Sequence, residues 1–291
     1  MRLPNLLATC LLSLAFLFGA AIIGAVPQLA IYWITGTLEP DSPVLQALIL
    51  ILSFAPIFLL IWVWVRLFEK RGFSSLGMHA KGAWFKYLRG FALGVGMFSG
   101  AVIALSAFGF LSLAPAANGT AAISALPGVM VMLLGWLVQG PGEEILYRGW
   151  MMPVIAARSK LIVAILISSA IFGFSHALNP SFSILALINI FLVGIFLCLF
   201  ALRDEAVWGV FGWHTAWNWA QGNIFGLSVS GNALSSVTLF HFHLAGAPLL
   251  TGGGFGPEGG LSVTLVILLG MVGVWIWGRQ RSPEIPNQNP V

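Results

Sequence analysis

The chain has 291 residues, 59% of them hydrophobic and 8% charged, with a formal net charge of +4 and a mean hydropathy of +0.97. Soluble domains carry about 25% charged residues, so this composition excludes a soluble globular protein and leaves a polytopic membrane protein. The two cysteines, Cys10 and Cys198, both lie inside apolar runs. They read as packing residues, with no disulfide scaffold, CxxC motif or zinc knuckle.

In chain order, the first 25 residues resemble a signal peptide, but the apolar run continues to Ile34. That is long enough to span a bilayer and reads as a retained first helix. Uncharged apolar runs then cover Val44–Val65, Gly90–Leu113 and Ala121–Gln139, the last continuing into a charged motif. Further runs cover Leu161–His176, Phe182–Leu202, Val207–Leu227 and Leu261–Gly278. Only helices and closed barrels satisfy their backbone in lipid. The pattern therefore predicts an all-α polytopic membrane protein with about eight transmembrane helices in one bundle.

The positive charges support that count. Arg66, Lys70, Arg71, Lys81, Lys86 and Arg89 fall between helices 2 and 3, Arg158 and Lys160 between 4 and 5, and Arg203 between 6 and 7. Arg2 precedes helix 1, and Arg279 and Arg281 follow helix 8. The intervening loops hold Glu39, Asp41 and Glu258 but no Lys or Arg. With eight spans all loop cations fall on one side, which the positive-inside rule makes cytoplasmic, with both termini inside the plasma membrane. The organisation expected is helices 1–3 over 1–120, a core of helices 4–7 over 121–228, a flexible outer loop over 229–260, a last helix over 261–280 and a disordered tail over 281–291.

Within the apolar sequence stand charges that need a reason. GPGEEILYRGW puts Glu143, Glu144 and Arg148 within six positions, although a charge at mid-bilayer costs about 2.5–3.5 kcal/mol on insertion scales. Glu144 and Arg148 are spaced i, i+4 with the acid first, the better orientation for a helical ion pair. Gly140-Pro141-Gly142 predicts a helix break, with Glu143 and Glu144 in a new first turn favoured by the helix dipole. Helices 4 and 5 form a hairpin with its tip at Arg158-Ser159-Lys160. Glu143 and His176 lie about sixteen residues to either side of that tip, hence at one depth. His214 and Asn218, also i, i+4, share a face of helix 7. Asn189 reads as interhelical hydrogen bonding, and the outer-loop pair His241 and His243 as a weak metal candidate.

One carboxylate, two imidazoles and an amide in one layer suit amide hydrolysis. A carboxylate with a histidine deprotonates water, and a second histidine with an amide donor stabilises an oxyanion. Alternatively Glu143, His176 and His214 hold a divalent metal such as zinc, with a position open for water, although no HExxH is present.

EEILYR (143–148), FGFSH (172–176) and HTAWN (214–218) resemble the EExxxR, FxxxH and HxxxN motifs of the CAAX-protease and bacteriocin-processing (CPBP, or Abi) family of intramembrane proteases, which includes the type II CAAX prenyl endopeptidases. The resemblance covers about 130–225. It implies an eight-helix bundle in which Glu143 and His176 activate water and His214 and Asn218 form the oxyanion site. Glu144, Arg148 and the motif residue Phe172 support them, and no metal is needed. The partners implied are the lipid bilayer and a membrane-embedded or lipidated (CAAX-like) peptide or protein substrate, with no nucleic acid. Two other readings fit the same residues: a catalytically silent bacteriocin-immunity-type scaffold, and an ion-coupled transporter. Against the transporter, the sequence shows no inverted repeat.

Overall fold

The computed structural model describes residues 3–37, 40–113, 122–233 and 237–279. The expected tail over 281–291, the loop 114–120 and Glu39 lie outside them. Eight long helices stand among the described residues, beside shorter helical turns: α1 (Leu6–Thr35), α2 (Pro43–Leu67), α3 (Ala83–Ala107), α4 (Ala122–Glu144), α5 (Leu161–Phe174), α6 (Ile184–Asp204), α7 (Trp208–Trp219) and α8 (Leu261–Arg279). α4 continues without interruption through a π-helical segment, Ile145–Met151, to Ala156, and α7 through another, Ala220–Ile224. Local sequence sets several ends. Asn5 caps α1 by accepting from the Ala8 amide at 2.8 Å, and Ser183 caps α6 by accepting from Ala186 at 3.1 Å.

Six helices, α1 to α4, α6 and α8, are long and apolar enough to cross a membrane, and α5 is a shorter apolar helix. Their outward faces are lined with bare apolar side chains such as Ile22, Val26, Leu265 and Leu269, each at least half exposed. In water such faces would be unfavourable over their whole length. In a bilayer they meet their own kind, and the chain is an integral membrane protein. α7 differs. With its extension it carries His214, Asn218, Gln221 and Asn223, all buried, and so sits at the centre, where each finds a protein partner.

Glycines hold α7 there. A Cβ on Gly90 of α3 would lie 1.9 Å from the Gly209 carbonyl oxygen of α7, and one on Gly212 would lie 2.0 Å from the Tyr87 carbonyl oxygen. The two backbones touch, as in small-residue helix pairs of membranes.

Three details differ from the sequence expectation. First, α4 does not restart at Gly140-Pro141-Gly142. A Cβ on Gly140 would come within 3.0 Å of the Thr215 amide, and one on Gly142 within 3.3 Å of the Phe54 carbonyl. These glycines serve close helix approach, not a break. Glu143 and Glu144 are mid-helix, so the proposed first-turn dipole does not act on them. Second, α3 begins at Ala83, which puts Lys86 and Arg89 in its first turns, and ends at Ala107. Gly109, at φ +75°, then turns the chain into β1 (Leu111–Leu113), which pairs antiparallel with β2 (Phe242–Leu244). Third, the described part of the glycine-rich segment before α8 is packed into the fold, with Phe255, Pro257, Glu258 and Gly259 buried. Glu258 accepts from Trp217 Nε1 at 3.0 Å and from the amide and hydroxyl of Ser230 at 2.7 and 2.8 Å. Asn189, read as an interhelical contact, donates to the Glu258 and Gly260 carbonyls at 2.8 and 2.9 Å and accepts from Thr264. It thereby ties α6 to this segment and to α8.

Candidate active site

A cavity of about 520 Å³ opens between α1, α2, α4 and α7. Glu143, His176, His214 and Asn218 all line it, together with Gln139. The facing wall is mostly apolar and comes from α1 and α2: Leu17, Phe18, Ile49 and Phe54, with one polar pair, Gln28 donating to Ser53 at 2.8 Å. Asn179, Ser230 and Asn232 complete the lining at the end away from the basic loops. Asn179 donates to the Ser230 carbonyl at 2.9 Å, so the Glu258 contacts that fix Ser230 also shape this end.

Behind the cavity runs a buried chain of charge. Arg148 Nη1 donates to Glu144 Oε1 at 2.8 Å, and both side chains are wholly buried. The same oxygen meets His214 Nδ1 at 2.8 Å. Arg148 also gives Nη2 to the Gly194 carbonyl at 3.1 Å, and its guanidinium lies 4.4 Å from the Phe172 ring centroid. Phe172 is thus a cation–π platform. With Nδ1 of His214 committed to Glu144, Nε2 is the nitrogen turned to the cavity, 3.9 Å from Glu143 Oε2.

His176 lies two residues past the end of α5, in a turn, where the apolar run predicts the helix to extend as far as His176. Its amide bonds to the Gly173 carbonyl at 3.2 Å. Its Nδ1 sits 2.9 Å from the Phe172 carbonyl. A carbonyl only accepts, so Nδ1 carries the hydrogen and Nε2 of the neutral ring is the acceptor. The Phe172 ring stands edge-on to both imidazoles, at 5.0 Å from His176 and 6.2 Å from His214.

Gln139 is a site residue that the motif reading passes over. Its amide nitrogen donates to Glu143 Oε1 at 2.9 Å, and its amide oxygen accepts from Asn218 Nδ2 at 2.8 Å. It couples a carboxylate on α4 to an amide on α7. The available signal was an uncharged polar residue four positions before Glu143, on the same helical face. The second Glu143 oxygen takes no hydrogen bond from the described side chains, which leaves its lone pairs for a donor in the cavity. Among the described residues no three His, Cys, Asp or Glu side chains are grouped as metal ligands, either in the cavity or around His241 and His243.

Residues 124–220 match the family model described as Rce1-like, type II CAAX prenyl endopeptidase Rce1-like. That stretch runs from α4 into the end of α7 and holds every acidic and imidazole group of the cavity, so the part of the chain that carries the site is similar to a type II CAAX prenyl endopeptidase domain. The apolar wall from α1 and α2 falls outside the match. No curated protein and no solved structure matches the chain.

Proposed function

We propose that this chain is an intramembrane endopeptidase of the cell membrane that cleaves a lipidated, CAAX-like peptide with a water activated by Glu143 and His176. One observation supports the reading above the others. A buried carboxylate, two imidazoles each held through Nδ1 and an amide line one cavity whose facing wall is apolar. The apolar wall suits a lipid chain or a hydrophobic peptide segment, and the polar wall suits hydrolysis.

In this scheme Glu143 Oε2 takes a proton from water while His176 Nε2 orients that water by accepting its other hydrogen. The hydroxide adds to the scissile carbonyl carbon. The oxyanion receives the Asn218 N–H not used by Gln139, and Nε2–H of His214 in its protonated form. Glu143 then returns its proton to the leaving amine, so the C–N bond breaks with the proton count balanced. Glu144 and Arg148 orient His214 from behind. No step uses a metal. The termini lie on the cytoplasmic side, with the basic loops.

The test is cleavage by purified protein in nanodiscs of a panel that pairs a farnesylated CAAX peptide with the same peptide unprenylated. Wild type should cleave the farnesylated member with or without chelator, and His176→Ala should lose at least about 100-fold in kcat. Chelator-sensitive activity restored by zinc would overturn the metal-free scheme. Unchanged activity in His176→Ala would overturn the role of His176. A protein that binds the panel and cleaves none of it would be the silent scaffold.

Gln139→Met should lower kcat about 10-fold to 100-fold with little change in KM, because it frees Glu143 and Asn218 from their shared tether at a cost of about 1–3 kcal/mol. Gln139→Glu puts a second carboxylate beside Glu143. It should displace the pH profile as well as the rate, which a purely structural residue would not do.

A further inference from the structure

A second groove, sharing no lining residue with the catalytic cavity, runs between α3, α6 and α8. Its volume is about 590 Å³, and Leu93, Met97, Phe196, Phe200, Leu269 and Trp277 give it an apolar wall. Glycines keep it open. Nothing lies within 4 Å of a Cβ built on Gly100 or on Gly273. The groove faces the bilayer along spanning helices, so an aliphatic chain fits it.

Its basic end is different in kind. Arg89 lines both this groove and an adjoining polar cavity of about 370 Å³, which Lys86, Arg203, Asp204 and Glu205 complete. Arg89 pairs with Asp204 and lies 4.5 Å above the Trp277 ring. Lys86 Nζ donates to the Asp204 backbone carbonyl at 2.7 Å. Arg203 donates to the carbonyls of Trp277 and Gly278 at the end of α8. Of the three cations, only Arg89 is matched to a buried carboxylate. Lys86 and Arg203 are held by neutral carbonyls, and Glu205 is exposed. One positive charge is left over in the cavity that opens onto the apolar groove, at the end of the bundle where the loop cations gather.

We infer that this is a binding site for an anionic glycerophospholipid. The headgroup phosphate sits between Lys86 and Arg203, and an acyl chain lies in the groove along Leu93, Met97 and Leu269. A zwitterionic lipid would bring its own cation into a cavity that already carries an excess positive charge. An anionic lipid matches that excess, as basic pockets between helices do on the cytoplasmic side. A free phosphate ion would fill the polar cavity and leave the apolar groove without a role.

The test is native mass spectrometry of the full chain from detergent with equimolar phosphatidylglycerol and phosphatidylcholine. Wild type should retain phosphatidylglycerol about 25-fold over phosphatidylcholine, since each of the two cations near the headgroup contributes about fivefold. Lys86→Gln, whose only described contact is one carbonyl, should reduce the preference by about that factor, and Lys86→Gln with Arg203→Gln should abolish it. Gly273→Leu, which fills the groove without touching the cations, should lower retention of both lipids. Inorganic phosphate in excess should compete only weakly. Equal retention of the two lipids by wild type would overturn the site, as would a preference that survives both substitutions. Complete displacement by phosphate would reduce it to an ion site. Displacement by the farnesylated peptide would reassign the groove to substrate.

Discussion

Glu143→Gln should lower kcat at least about 10³-fold while leaving the thermal unfolding midpoint within a few degrees of wild type. Glutamine has the shape of glutamate and still accepts the Gln139 hydrogen bond at Oε1. It cannot take a proton from water or hand one to a leaving amine, and loss of a general base costs about 10²–10⁴ in rate. Here the same group serves both half-steps, so the effect should fall in the upper part of that range. Glu144→Gln provides the contrast. Its carboxylate touches Arg148 and His214 but is absent from the cavity lining. That change should disturb stability as much as rate. Cleavage assays and unfolding curves on the two variants separate the roles of two adjacent carboxylates. Activity that survives Glu143→Gln would remove Glu143 as the base.

The division of labour between those carboxylates illustrates what the sequence could carry. Spacing alone pairs Glu144 with Arg148, and counting from the hairpin tip brings Glu143 to the level of His176, because rise per residue is fixed in a helix. What spacing does not carry is χ angles, so the second partner of Glu144, His214 on α7, was not visible. Gln139 was missed for a related reason. An uncharged amide in an apolar run is not costly enough to draw notice, and only the structure shows both its ends engaged. Gly140 and Gly142 were misread because a glycine that breaks a helix and one that lets two helices touch are the same letter. The start of α3 was misplaced because Lys86 and Arg89 can ride on a helix end with their apolar stems along it and their charges beyond. Glu258 looked like a solvated loop acid. Its three hydrogen bonds come from residues 28 and 41 positions earlier, a separation at which no local pattern operates. The wall formed by α1 and α2 was equally invisible, since apolar spans look alike whether they face lipid or line a cavity.

The second large effect concerns folding. Arg148→Met should sharply destabilise the protein, by about 3–5 kcal/mol, because it leaves the Glu144 carboxylate in a fully buried position without its cation. The guanidinium also holds the Gly194 carbonyl and lies over Phe172, so three neighbours lose a contact together. The double variant Glu144→Gln, Arg148→Met removes both charges at similar volume. Replacing a whole buried ion pair is often neutral or even stabilising, so most of the lost stability should return. Activity should not return with it. In the double variant His214 Nδ1 faces a neutral amide, so neither the ring orientation nor the imidazolium that donates Nε2–H to the cavity is enforced. Loss of such an orienting carboxylate lowers rate by about 10²-fold or more. Unfolding midpoints and kcat for wild type, the single variant and the double variant therefore form a decisive set. A stable but slow double variant assigns the pair to orientation of His214. A double variant as unstable as the single one would mean that the charges themselves hold α4, α6 and α7 together. A single variant as stable as wild type would mean that water reaches Glu144 and that the chain of charge behind the cavity is not closed.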